Sequence, residues 1–377
     1  MTMVANFDVE GRPVLLGDLL LSMPDDGREY ARLPIPFNFD LNRELRSKNH
    51  THIVCGLDQK LILLSPHLAV AWTGLLSEAE IAIRELAKHV DTAGHDADAL
   101  NSFFELHRTK RHHLYLTGIT LECGSDGKTL VRKFAFRFSN GRDKERTSAR
   151  FGQCFVAGSG AEDFTKLLDF AEVNRLNLKG SRNCNPCENA VFVALTLAAQ
   201  LSGEQARTGS GLAKLYGGGY EIMTLFDNEL RKVGEIAYHL YEAKLEKDGA
   251  VTIDFHQIIK YSYANDNLLI RRLLLAKPPE LCIDDLFVIL PLHKRPSDEE
   301  KVELERSLSR PSFDSIFYVF YIHILQAKPE GRIAQLIYYR GKDGAPPIRI
   351  LEEQDAFEIS EELRERIISV VQRRVSG

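Results

Sequence analysis

The chain has 377 residues, 44% hydrophobic and 27% charged, with a formal net charge of -5. That balance is ordinary for a globular protein and excludes a disordered, collagen-like or purely coiled-coil chain. A slightly acidic surface gives no broad attraction to nucleic acid or anionic lipid, so neither is an expected partner.

Residues 1–8 have neither the basic region nor the long apolar run of a signal peptide. No stretch reaches the roughly 18 apolar residues needed to span a bilayer. Six cysteines are too sparse for a disulfide framework. Together these features predict a cytoplasmic protein with reduced thiols.

In chain order, residues 2–7 and 13–21 are β-prone runs, and Asp8, Val9, Glu10 and Gly11 between them suit a tight hairpin. Residues 23–50 form a polar excursion with Pro24, Pro34 and Pro36 and no clear periodicity. Loops of that length are usually functional or ordered by a partner. Strands resume over residues 60–64 and 68–72. Ser77 then opens a helix over residues 77–89, with Ile81, Ile83, Leu86 and Val90 at helical spacing and Glu80 completing a capping box.

Strands over residues 114–121 and 128–138 flank a turn at Gly124, Ser125, Asp126 and Gly127. Residues 155–160 run into a glycine-flanked turn and a helix over 161–171, and residues 189–201 form an apolar, alanine-rich helix. Residues 220–226 and 233–240 read as a hairpin. Further on, residues 287–292, 317–325 and 333–339 read as strands, 295–310 as a charged, solvated helix, and 361–375 as a final helix. Two pairs of strands, each followed by helices, predict two antiparallel sheets with helices outside, a layered α+β fold. The texture divides the chain into residues 1–240, with an insertion over 23–56, and an α+β extension over 241–377.

Thr2 is the first residue whose position carries chemistry. Removal of Met1, which a small second residue permits, leaves a free α-amine beside the threonine hydroxyl. An α-amine has a pKa of roughly 7.7–8, so an appreciable neutral fraction near pH 7 can act as base for that hydroxyl.

The segment from Thr2 to Asp18 resembles the opening of proteasome β-subunits and of the related bacterial peptidase that works with an unfolding ATPase. In that family a threonine opens a strand, a hairpin follows, and an Asp stands sixteen positions on, the interval between Thr2 and Asp18. Lys60, leading through an apolar strand to Gly74, is similar to the family's lysine-bearing strand and small-residue turn before the first long helix. Gly158, Ser159 and Gly160 resemble its Gly-Ser-Gly turn. The landmarks fall in family order across residues 2–226.

The resemblance implies a four-layer α/β/β/α sandwich of the N-terminal nucleophile hydrolase type. It implies Thr2 as nucleophile, Lys60 as the cation easing hydroxyl deprotonation, and Asp18 as the group that orients and compensates that lysine. It further implies Ser159 supporting the terminal amine and the Gly74 N–H donating to an oxyanion. A peptide or amide substrate, a homo-oligomer, an ATPase or other protein partner, and no cofactor or metal go with it. Three departures stand out. Lys214 and Gly217 occupy the place of the family's Asp and following Ser, the 23–56 insertion lengthens the chain before Lys60, and residues 241–377 have no counterpart. An inactive assembly or binding module and a small-molecule amidase therefore stand beside the peptidase as readings.

Other motifs are read without chemistry. Cys184 and Cys187 have the spacing of half a zinc site or a redox pair, but no second pair shares it, so incidental cysteines are expected. The glycines between Tyr216 and Tyr220 lack the Lys-Ser/Thr of a P-loop and read as a turn allowing close backbone approach. His107, His112 and His113, beside the basic stretch 108–111, read as a solvated face.

Overall fold

A computed structural model of the chain describes residues 2–24, 52–107, 113–124, 127–138, 143–173, 185–208, 216–275, 282–294, 297–309, 313–326, 333–339, 345–351 and 356–376. Most of the predicted 23–56 insertion, Cys184, Lys214, the basic stretch 108–111 and His112 lie outside the described residues. The described residues form a mixed α+β fold of six helices and mostly antiparallel sheets.

The first sheet starts from a hairpin. Strands β1 (Met3–Val9) and β2 (Arg12–Asp18) pair through Glu10 and Gly11, whose φ angles of 50° and 78° match the right-handed twist of a tight hairpin. The next strands are β3 (Leu20–Pro24), β4 (His52–Leu57), β5 (Leu61–Ser65), β6 (Leu68–Gly74), β7 (Leu114–Cys123), β8 (Thr129–Arg137), β9 (Asp143–Ser148), β10 (Gly152–Gly158), β11 (Tyr220–Phe226) and β12 (Glu229–Lys232). The first sheet runs β12-β11-β2-β1-β10-β9 and the second β5-β6-β7-β8, both antiparallel, while β3 and β4 pair with each other.

Side-chain alternation along β1 decides what lies on each face. Met3, Ala5, Phe7 and Val9 face helices α3 (Ala161–Val173) and α4 (Pro186–Thr208), while Val4 packs against Leu61, Ala69 and Ala71 of the second sheet. The far face of the second sheet, with Ile62, Val70, Trp72 and Leu116, is covered by α1 (Leu76–Ala93) and α2 (Ala97–His107).

The chain then builds a third sheet from β13 (Ile236–Leu245), β14 (Val251–Ala264), β15 (Asn267–Leu275), β16 (Cys282–Ile289), β17 (Phe317–Ile324) and β18 (Ile333–Tyr339). Its order is β16-β15-β14-β13-β17-β18, antiparallel except for the parallel pair β13 and β17. One face, with Tyr238, Ile259, Tyr261 and Val319, shares the core of α3, α4 and the first sheet. The other, with Tyr241, Tyr318 and Phe320, packs on Leu363, Ile367 and Val371 of the last helix, α6 (Glu361–Ser376). The mostly exposed helix α5 (Asp298–Ser309) lies in sequence between β16 and β17, and the short pair β19 (Ile348–Leu351) and β20 (Ala356–Ile359) lies between β18 and α6.

Three sequence expectations need correction. A third sheet is added to the expected pair of antiparallel sheets, and its strands β14 and β15 were not foreseen; they join through Asn265 and Asp266 at φ 48° and 66°. Residues 220–226 do form a hairpin, but with β12 through Asp227 and Asn228, because those two residues supply consecutive positive φ angles of 48° and 64°. The chain from Ile236 instead joins the third sheet. The capping box at Ser77 is absent: α1 starts at Leu76 behind Leu75, with no side-chain cap. A tertiary contact turns the chain there, Gly74 at φ 132° followed by the Leu75 N–H donating to the His113 carbonyl at 3.0 Å.

Candidate functional site around Thr2

Thr2 lies just before β1 and is 1% exposed. Because β2 returns antiparallel beside β1, Asp18 at the end of β2 comes back to the start of β1. The Thr2 Oγ1 donates to Asp18 Oδ1 in a short hydrogen bond. The Met3 N–H donates to the same oxygen at 3.0 Å, and the Gly217 N–H donates to Oδ2 at 2.7 Å. Complete burial raises the Asp18 carboxyl to about 6; the Lys60 charge and these three donors work in the opposite direction.

The strand β10 pairs with β1 on its other side, so the turn after it also reaches Thr2. Ser159 Oγ donates to the Thr2 carbonyl at 3.3 Å. Gly158, at φ 97°, approaches so closely that a Cβ would lie 1.8 Å from that carbonyl oxygen and 3.1 Å from Thr73 Oγ1. Only glycine fits there. The end of β6 is thus beside Thr2, and Gly74 follows Thr73 directly; its backbone is pressed against the His113 carbonyl, 1.8 Å from where a Cβ would stand.

Lys60 enters from the start of the second sheet. Its Cβ passes Gly17 so closely that a Cβ on Gly17 would lie 2.9 Å away. The side chain is fully buried, and its Nζ has no hydrogen-bond partner among the described residues. It stands 4.4 Å from the centroid of the Trp72 ring, within the range of a cation–π contact. Burial lowers the Lys60 pKa, opposed by the negative charges of Asp58, Asp18 and Glu221. The sequence reading paired Asp18 with Lys60; here the Asp18 oxygens are taken up by Thr2, Met3 and Gly217, and the lysine acts on them through space.

Two carboxylates at this site were missed from sequence. Asp58, 6% exposed, accepts the Gln59 N–H at 2.7 Å, and burial raises it to about 6 against the Lys60 charge. Glu221, 2% exposed, is the one charged residue in the otherwise uncharged and mostly apolar run of β11, a signal that could have marked it. Its Oε2 accepts the N–H groups of Lys60 and Leu61 at 2.7 and 3.2 Å. Burial raises its pKa, chiefly against the charge of Lys232.

The glycine run before β11 gives the close backbone approach expected of it. Gly217 supplies its N–H to Asp18, and a Cβ on Gly219 would lie 1.9 Å from the Tyr261 hydroxyl. That hydroxyl donates to the Gly218 carbonyl at 3.2 Å. Other sequence candidates lie elsewhere. His107 is 8% exposed and packs on Phe103 with ring centroids 4.4 Å apart, so it belongs to the helical layer. Among the described residues no three His, Cys, Asp or Glu side chains converge as metal ligands, and no helix is long and apolar enough to cross a membrane.

The site therefore places one hydroxyl on one carboxylate with a buried cation close enough to lower that carboxylate's pKa. Such a set can activate an oxygen nucleophile. No protein-family model matches this sequence, and no curated protein matches it either.

Proposed function

We propose that this chain is a threonine-dependent amide hydrolase acting on peptides, with Thr2 as its N-terminal nucleophile once Met1 is removed. The observation that carries the reading is the Thr2 hydroxyl seated on Asp18 with Lys60 buried among the carboxylates beside it. We read the succession of α1 and α2, second sheet, first sheet, α3 and α4 as a four-layer α/β/β/α sandwich of the N-terminal nucleophile hydrolase type. A cytoplasmic location, a homo-oligomer and a protein partner such as an ATPase belong to the same proposal.

In this mechanism the Thr2 hydroxyl, which rests on Asp18, turns its proton to the neutral α-amine, and the amine takes it. The Lys60 charge favours the developing alkoxide. The oxygen attacks the amide carbon, and the Gly74 N–H donates to the oxyanion. The ammonium proton passes to the leaving amine as the C–N bond breaks, leaving an ester on Thr2. Water then hydrolyses the ester, with the amine again taking the proton. Ser159, bonded to the Thr2 carbonyl, keeps the residue in register.

The test is the intact mass of the purified chain before and after a threonine-reactive β-lactone. A chain short of Met1 that gains one lactone on Thr2 is the expected result. Thr2→Ala lowers labelling and peptide hydrolysis by at least ~1,000-fold, as removal of a nucleophile does elsewhere. Equal rates in the variant sink the mechanism.

A second reading, a non-catalytic assembly or binding module, is favoured by Gly217. It offers Asp18 a backbone amide and offers the Thr2 amine no side chain. Retained Met1, or a processed chain that resists the lactone, selects this reading.

A further inference from the structure

The segment Gln59–Lys60–Leu61 joins the candidate site to the third sheet by two separate routes. In the first, the Gln59 side-chain amide donates to the Asp266 carbonyl at 2.9 Å and to the Ile289 carbonyl at 2.6 Å. Those acceptors lie in the β14–β15 turn and at the end of β16. Lys232 closes this route by donating to Gln59 Oε1. In the second, the hydroxyl of Tyr263 on β14 donates to Glu221 Oε1 at 2.8 Å, while Glu221 Oε2 accepts the Lys60 and Leu61 amides.

On the site's side the same segment is fixed by Trp72. The indole Nε1–H donates to the Gln59 carbonyl at 2.9 Å, and the backbone N–H of Trp72 donates to the Lys60 carbonyl at 3.1 Å. The ring of that tryptophan is the one Lys60 Nζ stands over. A residue that shifts the backbone of 59–61 therefore shifts the cation as well.

We propose that the third sheet is a clamp on the lysine of the Thr2 site, with Tyr263, Glu221 and Gln59 as positioning residues. The inference rests on the reading of Thr2 as nucleophile. It gives the C-terminal region, which has no counterpart in the resembling family, a role in the same site: it sets where Lys60 sits and how readily it keeps its proton. Without the Tyr263 hydroxyl, Glu221 Oε1 loses its donor in a buried place, where an unpaired charged acceptor is costly. Glu221 then takes up a proton more readily, and Lys60 faces one negative charge fewer. The remaining groups acting on Lys60 are Asp58, Asp18 and Cys55.

The test compares the Met1-processed chain with Tyr263→Phe, which keeps the ring, by lactone labelling of Thr2 across pH and by amide hydrogen exchange at Lys60 and Leu61. In Y263F labelling slows about tenfold, the size of one charge-assisted hydrogen bond expressed in the rate. Its high-pH limb falls at lower pH than in the parent, because Lys60 loses its proton earlier. The two amides exchange faster. Gln59→Met, measured the same way, decides the matter if Y263F does not fold.

A labelled parent and a variant with the same rate and pH profile overturn the clamp, whether or not exchange has changed. A parent that takes no label overturns the nucleophile itself and the clamp with it. The two failures are separated by the parent's mass alone.

Discussion

Lys60 and His239 both lie buried without a hydrogen-bond partner among the described residues, and their surroundings differ. Lys60 Nζ is opposed by Asp58, Asp18 and Glu221, all of which favour its charge. His239, on β13, has neither ring nitrogen bonded and stands among the rings of Tyr241, Phe255, Tyr318 and Phe320. Burial alone takes its pKa down to about 3. Burial is common to both, so burial does not mark a site. What sets Lys60 apart is a set of opposite charges that resists the desolvation, which His239 lacks.

The comparison breaks most visibly if Lys60 is replaced. Lys60→Met keeps the volume but leaves Asp18, Asp58 and Glu221 without that cation. Lactone labelling of Thr2 then falls by about a thousandfold, the upper range for loss of one electrostatic stabiliser. The Asp18 carboxyl, no longer held down by the lysine, ionises at higher pH, so the residual rate begins to rise later on the pH axis. Labelling followed by mass across pH measures both effects, and an unchanged profile means the cation does not act on Asp18.

Asp18→Asn is the next largest. One amide oxygen can still accept from Thr2 and Met3, but the NH2 group then faces the Gly217 N–H, donor against donor. We expect labelling to drop about a hundredfold, the lower range for loss of one electrostatic group at a reacting centre. In the parent chain, Asp18 ionises at about 6, so the rate climbs as pH rises through that value. In the variant that limb is flat. A limb at pH 6 that survives the substitution belongs to another group, with Asp58 the first to test.

The local parts of this site were legible in sequence and the long-range parts were not. Thr2 and Asp18 meet because a two-residue hairpin at Glu10 and Gly11 returns one strand beside the other, and both the turn and the interval are written in residues 2–18. Gly158 and Ser159 follow from a short strand with a glycine turn. Glu221 and Tyr263 act on Lys60 from 161 and 203 positions along the chain, a distance over which periodicity carries no signal. The third sheet escaped for a similar reason. Its parallel pairing of β13 with β17 joins Ile236 to Phe317, and β14 alternates exposed and partly covered residues at its start before a buried run over 257–261. Ser77 shows the converse: a local capping signal was present, but the contact of Leu75 with His113 set the helix start.

The smallest effect tests the other half of the comparison, His239. One of its two ring nitrogens carries a proton in the neutral form, and that N–H has no acceptor among the described residues. His239→Phe places a ring without polar atoms in an aromatic setting, so it relieves the unsatisfied group and gains about 1–3 kcal/mol in stability at pH 7. The pH dependence fixes the sign independently. The folded-state pKa is about 3, below the ordinary 6.5, so the unfolded chain binds the proton first as pH falls. The stability associated with neutral His239 is therefore whole above 6.5 and drains away as pH drops from 6.5 toward 3. Urea unfolding of parent and variant at pH 7, 5.5 and 4 should show the gap between them widening at each step. A constant gap would mean that the histidine is charged or bonded in the folded chain, and the contrast with Lys60 would then rest on the lysine alone.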